Sequence, residues 1–142
     1  MLVRCVYASR AVQPLAANSL DDILKQSRKN NLAHGITGLL CFANDVFVQV
    51  IEGARHEVSR LLSAIIRDER NAEVQILLFE EISERCFGNW TMGQVNIAKT
   101  NPALLLKYSE KAELNPFGAA GAATMALLLE LASSGAIMHR ST

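Results

Sequence analysis

From Gly35 to Gly53 the chain reads GITGLLCFANDVFVQVIEG, two runs rich in Ile, Leu, Val and Phe broken at Ala43, Asn44 and Asp45. Asn and Asp tolerate the left-handed backbone that tight turns require, so the stretch predicts a β-hairpin. In its second arm the side-chain period of two sets Phe47, Gln49 and Ile51 on one face and Val46, Val48 and Val50 on the other. Gln49 is the exception in this apolar strand. Its carboxamide carries two donors and an acceptor, and leaving them bare in a core costs about 1–3 kcal/mol, so polar partners must lie against that face.

Around the hairpin the periodicity alternates. LVRCVYAS, Leu2 to Ser9, predicts a strand with Val3, Cys5 and Tyr7 on one face. After a loop through Pro14, Ser19 with Asp22 three residues on suits a helix N-cap, and the stripe Leu20, Ile23, Leu24, Ser27, Asn31 starts apolar and ends polar. A second helix is predicted from about Ala54 to Asp68, turning Val58, Leu61, Leu62 and Ile65 inward and ending at RDERN. Two strands follow, Val74 to Glu81 and Thr91 to Ile97, the last with Trp90, Met92 and Gln94 sharing a face. This order gives an α+β class: a ferredoxin-like βαββαββ sheet over residues 1–98 with two helices on one face. Residues 99–142 add two C-terminal helices, one around Leu104, Leu105 and Leu106 and one, beyond the breaker Asn115-Pro116, carrying Met125, Leu127, Leu128, Leu129 and Leu131. Neither can stand alone, so this extension is expected to cover the open sheet face or to mediate self-association.

A chain of 142 residues that is 50% hydrophobic suffices for one core, and 14 acidic against 14 basic residues give a formal charge of +0. Without runs of one sign, nucleic acid and anionic membrane are not the expected partners. Cys5, Cys41 and Cys86 are odd in number, lack metal-ligand spacing and follow no secretory signal, which fits a reduced, cytoplasmic setting. Gly118 to Met138 approaches membrane hydrophobicity, yet Glu130 in its middle argues for a packed helix. His34, His56 and His139 stand apart from any second ligand, no phosphate-cradling glycine loop occurs, and Cys41 between Leu40 and Phe42 reads as a buried, inert thiol. No enzyme active site is expected. What remains is a set of polar side chains on apolar faces, Tyr7, Ser27, Asn31 and Gln49, which a helix crossing over the sheet brings together. Two readings stay open: an internal hydrogen-bond network, or a site for a flat heteroaromatic with donors and acceptors on its edge.

The run of VYAS, SRKNNLAHGITGLL, FVQVIEG, RDER and GNWTMGQV resembles the BLUF family, flavin-binding sensors of blue light, over Leu2 to Ile97. The continuation LLLKYS resembles the short single-domain members, which carry two C-terminal helices and no attached effector. The resemblance implies a non-covalent flavin, FAD by family habit with FMN as the alternative. It makes Tyr7 and Gln49 the photoactive pair and has Asn31 hold the pyrimidine edge. Trp90 and Met92 match the switch segment, one of them lying near Gln49; Ser9 and Ser27 match positions near the tyrosine and the ring. Ile36, Leu39, Phe47 and Ile65 are implied as apolar walls, and Lys29, Arg67 and Arg70 as phosphate contacts. It further implies a blue-light photoreceptor that signals to a separate partner protein, through the last strand, the C-terminal helices or a homo-oligomer interface. A flavin-dependent oxidoreductase and a cofactor-free interaction module are the rival functions.

Overall fold

A computed structural model describes residues 1–12 and 17–134, the side chains of residues 17–21 excepted; His139 and the end of the helix expected to reach Met138 lie outside the described residues. The elements are β1 (Leu2–Ala11), α1 (Ala17–His34), β2 (Thr37–Ala43), β3 (Val46–Ala54), α2 (Arg55–Arg67), β4 (Asn71–Ile82), β5 (Gly93–Asn96), α3 (Pro102–Tyr108) and α4 (Gly121–Ser133). The sheet order is β4-β1-β3-β2-β5. β1 runs antiparallel to β3 and β4, β2 antiparallel to β3, and β5 parallel to β2. Two split β-α-β units thus interleave, the ferredoxin-like arrangement, with β5 added at the edge.

Alternation along the central strands divides the core in two. Val3, Cys5, Tyr7, Leu40 and Ile51 pack with Leu24 of α1 and Val58 and Leu62 of α2. On the opposite face Val6, Ala8, Leu39, Cys41, Val48 and Val50 meet Leu105 of α3 and Leu127, Leu128 and Leu131 of α4. The extension therefore covers the second face of the sheet. Of its expected stripe Leu129 is exposed, and Thr124 is buried in its place.

Three departures from expectation have physical causes. α1 is described from Ala17, two residues before Ser19, so the Ser19 backbone lies inside the helix rather than ahead of it. The hairpin turn holds two residues, not three: Ala43 still pairs with Val46, and Asn44 alone takes positive φ (55°). That one-residue difference moves every β2 side chain to the other face, setting Leu40 rather than Leu39 opposite Gln49. β5 starts at Gly93 rather than Thr91, so strand alternation does not extend back to Trp90; Met92 belongs to the core under α1 and α2, Trp90 to the core under α4.

α1 ends in a Schellman turn. Gly35 takes φ +66°, its N–H reaches Leu32 O at 3.5 Å, and Ile36 N–H reaches Asn31 O at 2.9 Å. This closure fixes Asn31 in the last helical turn, over the sheet. The β4–β5 loop is anchored by Glu52, fully buried, whose carboxylate accepts from Arg4 Nε at 2.8 Å and from the N–H groups of Cys86 at 3.1 Å and Phe87 at 2.7 Å.

Candidate functional site

Between α1 and α2, above β1, β3 and β2, lies a cavity of about 300 Å³, within the size range of small-ligand sites. Register builds its floor. Tyr7 pairs with Gln49, and Gln49 with Leu40, so three successive strands present one row of side chains to the same face. Tyr7 is 5% exposed and Gln49 9%. The Tyr7 hydroxyl donates to Gln49 Oε1, and Gln49 Nε2 donates to Met92 Sδ at 3.1 Å. Both ends of the carboxamide are thereby oriented, one by a phenol and one by a thioether, a weak acceptor. Burial pushes the Tyr7 phenol well above its ordinary range, with Cys5 nearby adding to the shift, so its hydroxyl keeps its proton.

From above, the polar end of the α1 stripe closes the cavity. Ser27 lines it, and buried Asn31 lines it while spending one N–H on Thr91 O at 2.8 Å. Beyond that bond the carboxamide has a second N–H and a carbonyl oxygen. Ser9, buried on β1, also lines the cavity, as do Phe47 and Ile65. Leu24, Leu40 and Leu61 complete the apolar walls. Asp68, Arg70 and Asn71 stand at the end where α2 gives way to β4. There Asp68 accepts from Arg70 Nε at 3.0 Å and Nη2 at 2.5 Å, and these bonds hold its carboxyl below, and the guanidinium above, their usual ranges.

Not all of the expected residues meet there. Leu39 lies on the opposite sheet face, where the two-residue turn sends it. Ile36 is buried but packs away from the cavity, beneath Gly53 and α2. Lys29 and Arg67 are exposed and do not line it; Arg70 does. Trp90 packs in the far core, where its Nε1 has no partner, and Met92 alone of the pair touches Gln49. Leu24, Leu40, Leu61, Asp68 and Asn71 line the cavity without an expectation of a site role from the sequence. Leu40 follows once a two-residue turn fixes the pairing, whereas Asp68 carries no signal beyond its place in RDER, two residues before Arg70.

Residues 2–93 match the family described as "BLUF: Sensors of blue-light using FAD". A curated protein of Euglena gracilis, "Photoactivated adenylate cyclase subunit beta-like protein FB", is 29% identical over 92 residues, which are 64% of this chain and 11% of that protein. The chain thus spans about a ninth of that relative's length. A dark-state structure of BlrB, a BLUF protein, superposes with a TM-score of 0.79 at 30% identity, covering 94% of this chain and 96% of that one. The structure of BlsA in its photo-activated state gives a TM-score of 0.79 at 28% identity, covering 100% and 99%.

Proposed function

The chain belongs to the BLUF family of blue-light sensors, and on that premise we propose that the cavity between α1 and α2 holds a flavin whose excitation is registered by the Tyr7–Gln49 hydrogen bond. One observation carries this reading: a buried phenol and a buried carboxamide on adjacent strands are joined directly at the floor of a ligand-sized cavity. When bound, a flavin supplies blue-light absorption and, once excited, a strong oxidant for a neighbouring phenol. The residues suit such a ring: Leu24, Leu40, Phe47, Leu61 and Ile65 offer apolar walls, and Asn31 and Gln49 offer edge donors and acceptors.

Tyr7 is the group placed to be oxidised. Losing an electron makes a phenol strongly acidic, and Gln49 Oε1 stands directly in the path of the proton on Oη. Gln49 then records the event, because a carboxamide turned about its last torsion exchanges donor for acceptor. Turning withdraws Nε2 from Met92 Sδ, so Met92 loses the contact that held its thioether. Only a few hydrogen bonds change, each worth about 0.5–1.5 kcal/mol net, so the output is a shifted equilibrium rather than a forced motion. Met92 leads into β5 and on to the extension, which would carry the signal to a separate partner protein or to a homo-oligomer interface. The family's name favours FAD; FMN carries the same ring and would meet the same floor. Of the three basic residues proposed for the phosphate end, Arg70 is supported by its place at the cavity and by Asp68, which holds it there. The role is that of a sensor rather than an enzyme, since a phenol kept neutral and two carboxamides offer little acid–base chemistry near neutral pH.

The test is an absorption spectrum of the purified protein in darkness, after blue illumination and during recovery. A flavin band that moves slightly to the red and returns is expected, absent in Tyr7→Phe and Gln49→Leu. A yellow protein without a reversible shift would replace the reading with a flavin-dependent oxidoreductase, and a colourless one that fails reconstitution with a cofactor-free interaction module. Chromatography of the released cofactor against FAD and FMN standards decides between the two flavins.

A further inference from the structure

The segment Trp90–Met92 belongs to no strand, yet three successive carbonyls fix it. Trp90 O accepts from Gly38 N–H at 2.9 Å, Thr91 O from Asn31 Nδ2 at 2.8 Å, and Met92 O from Arg28 Nε at 3.0 Å. Gly38 itself lies close against β3, where a Cβ would fall 1.9 Å from Val50 O. The other two come from side chains one turn apart on α1, the helix that roofs the cavity. They differ in one respect: Asn31 lines the cavity and Arg28 does not. Arg28 reaches the backbone of Met92 from outside the cavity.

Met92 is held at two points, its carbonyl by a guanidinium and its thioether by the Gln49 amide. The two bonds are unequal. A donor that carries full charge binds a carbonyl about twice as strongly as a neutral one, while a thioether is a poor acceptor. When the Gln49 amide turns, the sulfur contact is the one that gives way, and the carbonyl contact keeps the Met92 backbone in place.

We propose that Arg28 is a positioning residue of the light switch: it pins the Met92 backbone as the fixed point about which the thioether leaves and to which it returns, and so sets how fast the protein recovers in darkness. The proposal rests on the flavin reading above and adds to it a residue that touches neither ring nor phenol. Arg28→Met, close in length and without a donor, is expected to keep its flavin and its full red shift, because Tyr7 and Gln49 are intact. Its dark recovery is expected to slow by about tenfold, the factor that corresponds to one charge-assisted hydrogen bond. Arg28→Lys, which retains a charged donor, is expected to restore most of the wild-type rate.

The experiment follows recovery of the red-shifted band in wild type, Arg28→Met and Arg28→Lys at equal flavin occupancy. A role confined to fold stability would change occupancy or melting temperature and leave the recovery of the bound fraction unmoved. Arg28→Met recovering at the wild-type rate or faster, or Arg28→Met and Arg28→Lys slowed alike, overturns the proposal. Should Arg28→Met fail to fold, Arg28→Gln replaces it: a neutral donor predicts recovery between those of Lys and wild type on one side and a tenfold slowing on the other, and a rate outside that interval overturns it. A wild-type protein with no reversible shift overturns the flavin reading itself, an outcome distinct from a shifting wild type that Arg28 does not affect.

Discussion

Two neighbouring leucines, Leu39 and Leu40, have opposite duties because one peptide step on a strand is half a turn of side chain. Leu39→Ala is expected to cost about 2–5 kcal/mol of stability, read by denaturant unfolding, with the flavin spectrum unchanged. Leu40→Ala enlarges the cavity beside Gln49 and is expected to weaken flavin retention, read by equilibrium dialysis. The sequence alone could not separate them: a turn of two or three residues at Asn44 fits the composition equally well, and only the pairing decides. Tyr7, Asn31 and Gln49 were legible for the opposite reason, since a polar group on an apolar face announces itself whatever the register. The buried thiols give a prediction in pH. Desolvation pushes Cys5 and Cys41 up to about 12 from an ordinary 9.0. Between those values the unfolded chain has released protons that the folded chain retains, so stability falls as pH rises, by about 1.4 kcal/mol per pH unit for each thiol. Melting curves from about pH 8 to about pH 11 check it, and a Cys5→Ala/Cys41→Ala variant should flatten the decline.

The loop from β4 to β5 depends on a charge that the strand pattern hides. Glu52 follows a run of apolar residues in FVQVIEG and sits fully buried, binding Arg4, which is 7% exposed, and two N–H groups of the loop. Removing one partner of such a pair leaves the other charge undercompensated, and Arg4 retains Glu80 at 2.6 Å and the Cys86 sulfur at 3.0 Å. Glu52→Leu is therefore expected to cost about 3 kcal/mol or more in chemical denaturation, and Arg4→Met/Glu52→Leu to recover much of the loss. The order of the elements was readable from periodicity, and so were the ends of α2, whose apolar stripe is regular. Their limits failed where regularity failed. β5 was drawn two residues too early because Thr91 and Met92 look like strand residues, although side chains from α1 and not a neighbouring strand hold their carbonyls.

A single sheet separates two cores that share no side chain: one under α1 and α2, which encloses the cavity, and one under α3 and α4. Without α3 and α4, the face bearing Val6, Ala8, Leu39, Val48 and Val50 would stand open to water. A chain ending at Lys99 is expected to aggregate or bind a hydrophobic dye, while the full chain does neither. The leucines of the extension left two uses open, covering this face or self-association, and α3 and α4 pack on the face. On the flavin reading proposed above, a signal raised in the first core has to cross this sheet to reach the second. Met92 and Trp90 flank Thr91 and point into different cores. Their three carbonyls are tied to β2 and α1, so one held stretch of backbone carries a side chain into each core. Because Trp90 is the protein's one tryptophan, its emission reports on the core beneath α3 and α4 alone, the side of the sheet away from the cavity.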